Sequence, residues 1–235
     1  HHVAERIKFE YKITDHSLRH NVSVMRPVLE EWAKGKISVG NVQSWKTAAH
    51  NSNFGKLVED ANLFMDSSDF RLQGKVSTSR KSDTWSYKCN SPGSRYMLIQ
   101  GAATRILKVW GGYSPKIYDG DFLTINRSKI ETLFDGGVIV TDNHFSKGRK
   151  LFKNIKFYTN YKKQQQGKKR KRADPADDDL VANITREQEQ FNKQHQSARA
   201  RVEDPFGWIK RKFKCLGKPW MESQEQLDAM VLFAC

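Results

Sequence analysis

Cysteine is scarce: Cys89, Cys215 and Cys235 are three in 235 residues. An odd number without CxxC spacing excludes a disulfide framework and offers no zinc site, so a reducing compartment is the expectation. Acid is also short, with 26 Asp and Glu against 41 Lys and Arg, a formal charge of +15 and a pI near 9.7. Such an imbalance favours polyanionic partners and says nothing about fold. No apolar run approaches the ~20 residues of a membrane span, and no signal peptide opens the chain, so no membrane partner is expected. A Gly-rich phosphate loop, a Ser/His/Asp nucleophile set and a Cys/His cluster are all missing. The chain starts without Met and stops in the apolar stretch Met230–Cys235, which reads as a fragment. His1-His2 is either a tag remnant or native.

The positive charge is concentrated. From Asn143 to Arg172 there are twelve Lys and Arg and no acid, which supplies twelve of the fifteen net charges. The densest part runs Lys162-Lys163-Gln-Gln-Gln-Gly-Lys168-Lys169-Arg170-Lys171-Arg172 and then flips to Ala173-Asp-Pro-Ala-Asp-Asp-Asp179. Low in apolar residues, this reads as a flexible basic insertion at about 160–180. It suits a solvated loop, a nuclear-localisation signal at Lys168–Arg172, or a sequence-independent phosphate contact.

Periodicity divides the remainder. Val22, Met25, Val28, Leu29 and Trp32 are helically spaced up to Gly35, and Val42, Trp45, Ala48 and Ala49 suggest a second helix. Asn62–Leu72 reads as a strand. Tyr87–Asn90 and Tyr96–Ala103 read as strands joined by a turn at Ser91-Pro-Gly-Ser94, and Thr104–Trp110 as another closed by Gly111-Gly112. Asp119 or Asp121 looks like the N-cap of a helix through Phe134. The β-branched run Val138–Thr141 fits a buried strand that ends on Asp142. The expectation is a helical segment over 1–60 followed by an α/β domain over 61–235. Strand, hairpin of strands, helix, strand, helix is the order of a ribonuclease H-like mixed sheet flanked by helices. Active groups of such sheets collect where strands finish, which is where Asp142 falls.

The run Ser197–Leu216 is the most informative. At about 100° per residue, Arg199, Glu203 and Lys210 share one narrow stripe of a helix. Val202, Phe206, Ile209 and Phe213 form an apolar stripe beside it. For this helix alone a buried ion pair explains the pattern as well as a catalytic carboxylate does.

The spacing Arg, three residues, Glu, six residues, Lys, read with Phe206-Gly-Trp-Ile-Lys-Arg-Lys-Phe213, resembles the last catalytic block of DDE transposases of the Harbinger group. The resemblance runs from about Phe64 to Cys235. Met65-Asp66-Ser67-Ser68 stands where such proteins have Asp-Gly-Thr, Gly112…Tyr118-Asp119 matches a Gly…His-Asp block, and Thr141-Asp142-Asn143-His144-Phe145 matches an Asp-x-Gly-Tyr block. Gln196 replaces a usual Tyr, and Pro205, two residues after the glutamate, removes a helix hydrogen bond, which puts Glu203 near a bend or a helix start; no carboxylate is lost.

The resemblance implies a metal-dependent endonuclease and transposase that cuts and joins DNA. Asp66, Asp142 and Glu203 are then the catalytic acids and hold two Mg²⁺ (or Mn²⁺) ions, Asp66 bridging them, with Asp119 an alternative second acid. Mg²⁺ prefers hard oxygen donors, which explains carboxylates in place of His or Cys. Arg199, Lys210, Arg211, Lys212 and Lys168, Lys169, Arg170, Lys171, Arg172 are the candidate DNA contacts, although Arg199 and Lys210 equally suit pairing with Glu203. Implied partners are transposon ends and target DNA, a separate Myb-like DNA-binding protein and a second copy of the chain, in the nucleus. The alternative function is a domesticated, non-catalytic descendant that binds DNA or protein. Other residues read more plainly: Asp119 as a helix cap, Asp69 as structural, His144 as a surface histidine. Trp85, Trp110 and Trp208 serve either core packing or base stacking.

Overall fold

The structure, a computed structural model, describes residues 14–51, 60–73, 79–103, 105–163, 180–181, 183–201, 205–220 and 223–235. Helices α1 (Asp15–Lys36) and α2 (Val42–Asn51) come first. Strands β1 (Leu63–Arg71), β2 (Trp85–Ser86), β3 (Ser91–Gly101) and β4 (Ile106–Tyr113) follow, then helices α3 (Asp119–Ile125) and α4 (Arg127–Phe134). Strand β5 (Val138–Val140) leads through a 3₁₀ turn (Asn143–Phe145) into α5 (Gly148–Leu151) and β6 (Lys156–Tyr158). Short strands β7 (Lys162–Lys163) and β8 (Leu180–Val181) pair in parallel. Helices α6 (Arg186–Arg201), α7 (Pro205–Lys212) and α8 (Gln224–Ala234) close the chain.

Two units are distinguished, His1–Ser38 with Glu222–Cys235, and Val39–Met221. In the first, α1 pairs with α8, and Trp32 meets Phe233 with ring centroids 6.1 Å apart. Ser223 caps α8 by a capping box with Gln226, each satisfying an N–H that a helix start leaves open. The second unit is mixed α/β. Helix α2 belongs to it, although the sequence puts this segment with the N-terminal helices. The physical reason is Trp45, buried against Phe134 at 5.5 Å.

The sheet of the second unit has the order β2-β3-β1-β5-β6, with β4 also on β3. Strand β3 runs antiparallel to β1, β2 and β4, whereas β1, β5 and β6 are parallel. Side chains alternate along β1, so its two faces feed different layers. Leu63 and Met65 join Phe122, Leu123, Ile130 and Phe134 of α3 and α4. Phe64 joins Val140, and Ala198 and Phe191 of α6. Phe70 meets Phe206 of α7 on that same side.

Strand boundaries differ from the sequence reading in two places. Ser91-Pro-Gly-Ser94 is not a turn but the start of β3, and the chain reverses at Tyr87–Asn90, where Asn90 has φ 49°. Gly93 is there for closeness: a Cβ would lie 3.0 Å from Phe70 O and 3.2 Å from the Ser86 Cβ. Gly111 and Gly112 likewise continue β4 in place of ending it. The helix expected through Phe134 breaks into α3 and α4 at buried Asn126, whose Oδ1 accepts from Tyr113. The basic run 164–179 lies outside the described residues. Among the described residues no helix is long and apolar enough to cross a membrane.

A Cβ at Gly111 would sit 2.0 Å from the Tyr96 ring, which is 1% exposed and has nowhere to retreat. Gly111→Ala is therefore expected to lower stability by about 1–3 kcal/mol through overpacking. Gly101→Ala, whose Cβ meets only Leu107 at 3.7 Å, should cost far less. Denaturant midpoints at unchanged m-value check the pair, and equal midpoints would remove the steric account.

Candidate active site

Parallel pairing sets Leu63 opposite Ile139 and Phe64 opposite Val140. Thr141 carries the contact one step further, its Oγ1 donating to Met65 O at 3.1 Å. The next step brings Asp66 level with Asp142. Asp142 is still extended (φ −78°, ψ 174°), so alternation continues through it. Both acids thus fall on the face of Phe64 and Val140, the face that α6 covers. Both are half-buried. A main-chain N–H fixes one oxygen of each: Ser67 N donates to Asp66 Oδ1 at 2.8 Å, and His144 N to Asp142 Oδ1 at 2.9 Å. Asn143 locks the segment further by exchanging two hydrogen bonds with the Asn160 main chain.

Helix α6 is anchored to the same end of the sheet. His195 is fully buried, with Nε2 3.1 Å from Tyr158 O. Burial holds its pKa below the ordinary value, helped by Arg199 and Arg149 and opposed by main-chain hydrogen bonds at Tyr158 and Thr141. Asn192 adds a two-bond clamp to the Tyr161 main chain. One turn past His195 comes half-buried Arg199.

The interruption that Pro205 suggests is present: α6 ends at Arg201 and α7 opens on Pro205. Proline favours that first position, where its missing N–H costs nothing. Glu203 lies between them, outside the described residues. Lys210 of α7 turns inward, donating to Ser68 Oγ at 2.7 Å and Asp69 O at 2.9 Å, with the Phe70 ring centroid 4.6 Å away. It ties α7 to the strand that carries Asp66. Arg211 and Lys212 are exposed on α7. Lys168–Arg172 fall outside the described residues.

The opposite face of β1 carries a second polar group. Asp69, buried, receives Arg95 bidentately, Nε at 2.7 Å and Nη2 at 3.1 Å, and Ser86 Oγ at 2.6 Å. Arg95 Nη1 also donates to Ile117 O at 2.6 Å and stands 3.6 Å from Asp119 Oδ1. Lys88 Nζ donates to Ser67 Oγ at 3.1 Å. Asp119 is not the cap of α3; that position is Tyr118, and no side chain caps the helix. Asp119 is instead 5% exposed. Burial pushes its pKa up, against the pull of Lys88, Arg95 and a hydrogen bond from Ser67, while the charge of Asp142 adds to the rise.

Asp69, expected to be structural, holds the centre of this network. Arg95 and Lys88 escaped the sequence reading. The one available signal for Arg95 was a charge directly before the apolar run Tyr96–Ile99. Trp85 and Trp110 are core residues, with Trp110 edge-on to Phe122 at 5.7 Å, and Trp208 is 39% exposed. Among the described residues no three His, Cys, Asp or Glu side chains gather closely enough to hold a metal ion.

Arg95 neutralises a carboxylate that has no solvent to fall back on. Arg95→Met is expected to destabilise by about 3–5 kcal/mol, the usual cost of stranding one buried partner. Adding Asp69→Leu to it should restore much of that loss. A double-mutant cycle in urea checks this, and additive losses would contradict the pairing.

The chain from residue 65 to residue 235 matches the family model described as DDE superfamily endonuclease. No curated protein and no solved structure gave a significant match. The matched stretch is close to three quarters of the chain and includes Asp66, Asp119, Asp142 and Glu203. By that match the chain belongs to the DDE superfamily endonucleases, the family of DDE-type transposases.

Proposed function

We propose that this protein is the catalytic domain of a metal-dependent DNA endonuclease and transposase built on a ribonuclease H-like sheet. One observation carries the reading: Asp66 within β1 and Asp142 just past the end of β5 fall on one face of adjacent parallel strands, and the helices covering that face flank Glu203 in sequence. The sheet order, three antiparallel strands continued by two parallel ones across β1, supports the ribonuclease H-like assignment.

The donor set fits a hard divalent cation, since carboxylate oxygens suit Mg²⁺ or Mn²⁺. Asp66 and Asp142, with Glu203 as third ligand, would hold two ions. Bound there, the ions lower the pKa of an attacking water or 3′-hydroxyl and stabilise the leaving oxygen. The chain does the rest by positioning. The Ser67 and His144 N–H groups orient the two carboxylates. His195 and Lys210 hold α6 and α7 against the strands. The exposed charges of Arg211 and Lys212 suit contacts to DNA phosphates, as does the charge of Lys168–Arg172. Asp119 lies on the other face, engaged with Arg95, which favours Asp142 as the second acid. The resemblance extends the proposal to the Harbinger group, a nuclear location, a Myb-like DNA-binding partner and self-association.

Asp66→Asn, Asp142→Asn and Glu203→Gln should each lower Mg²⁺- or Mn²⁺-dependent cleavage of terminal DNA by at least about 1000-fold, several kcal/mol of transition-state stabilisation. DNA affinity without metal should change little. Asp119→Asn should keep cleavage if it still folds. Cleavage that survives Asp142→Asn and dies in Asp119→Asn would exchange the second acid. A wild-type domain that never cuts, given metal, terminal DNA and a Myb-like partner, would leave the non-catalytic binding protein.

A further inference from the structure

Two aromatic rings on the loops around the Asp69–Arg95–Asp119 network are left to solvent. Tyr87 is 74% exposed and Tyr118 73% exposed, against a core that buries Tyr96, Trp85 and Trp110. Their neighbours are fixed. Ser86, before Tyr87, is fully buried on Asp69, and Lys88, after it, is held at Ser67. Ile117, before Tyr118, accepts from Arg95, and Asp119, after it, is buried. The two loops are stitched together, because Ser114 Oγ donates to Asp83 O and Lys116 Nζ to Lys81 O. Lys88 and Asp119 both converge on Ser67, the residue next to Asp66. The rings therefore stand on pinned backbone, one next to Lys88 and the other next to Asp119, whose carboxyl feels the charge of Asp142. Pinning matters because a ring that is already held loses little entropy on binding.

Resting on the proposed DNA function, we infer that Tyr87 and Tyr118 form a stacking site for unpaired nucleobases, with Lys88 between them on the adjoining phosphate. Apolar ring surface held in water is unfavourable and is removed from it when a base covers the ring, and every base has a face to offer. Lys88 spends its hydrogen bonds on Ser67 from an exposed position, which leaves its charge facing solvent beside the site. An unpaired strand end is the chemistry this selects. In a closed duplex the faces of the bases are stacked on one another and unavailable to the rings. The site would thus take frayed or single-stranded ends near the bond to be cut. The tryptophans considered from sequence do not serve, since Trp85 and Trp110 are in the core.

The test uses the full chain with Ca²⁺ in place of Mg²⁺ and a duplex carrying a short single-stranded overhang with 2-aminopurine. Binding should quench the probe. Tyr87→Ala and Tyr118→Ala should each weaken overhang binding by about 5- to 100-fold, the range of one lost base stack. Their effect on blunt duplex should stay below about 2-fold, and the Tyr→Phe variants should bind like wild type. Lys88→Ala should reduce the log–log salt slope by about 0.7 to 0.9, one phosphate. Alanine variants that lose both DNAs equally, or neither, overturn the stacking site while the nuclease reading stands. A wild-type chain that binds no DNA of either kind overturns both.

Discussion

The parallel ladder between Leu63–Phe64 and Ile139–Val140 is the constraint on which the site depends. Two acids distant in sequence have no attraction for each other; as charges they repel. Backbone hydrogen bonds bring them level, and the burial of Phe64 and Val140 forbids a one-residue slip of either strand, which would put the two acids on opposite faces. The apolar residues of two strands thus set the geometry of the polar ones that follow them. A chemistry that needs charges of one sign side by side is assembled by groups that carry none.

The pleat of β1 then sorts the polar residues into two functions. On one face lie Asp66 and Ser68, met by Lys210 and by the helices on either side of Glu203. On the other lie Ser67 and Asp69, met by Lys88, Arg95 and Asp119. In the second group Arg95 is shared between Asp69 and Asp119, and Lys88 supplies the second positive charge. Its consequence for the first is mechanical. Arg95 ties the Ile117–Asp119 segment to β1 and Lys88 ties the Tyr87 turn to it.

Much of this was legible in the sequence, and the parts that were not fail for physical reasons. Val138-Ile-Val announced a buried strand because β-branched residues in an unbroken run have few other uses, and Asp142 at its end followed. The strand through Asp66 and the helices around Ser197–Lys212 were legible from periodicity. The Pro-Gly pair at 92–93 misled because glycine serves close approach as well as turning; here Phe70 O and Ser86 crowd the site. Asp119 looked like a cap because caps are local and ion networks are not. No sequence interval tells that Arg95 will reach both Asp69 and Asp119. Lys210 suited a phosphate contact or a pairing with Glu203; its bonds to Ser68 and Asp69 were not legible, since β1 lies far away in the chain.

The central claim is that Asp66 and Asp142, not Asp119, receive the divalent ion. Anomalous diffraction from crystals soaked in Mn²⁺ reads this directly. The account predicts manganese bound between the Asp66 and Asp142 carboxylates, at about 2.0–2.2 Å from their oxygens, with the Arg95–Asp119 contact undisturbed. Manganese bound at Asp119, with the Asp66–Asp142 pair left empty, would contradict it.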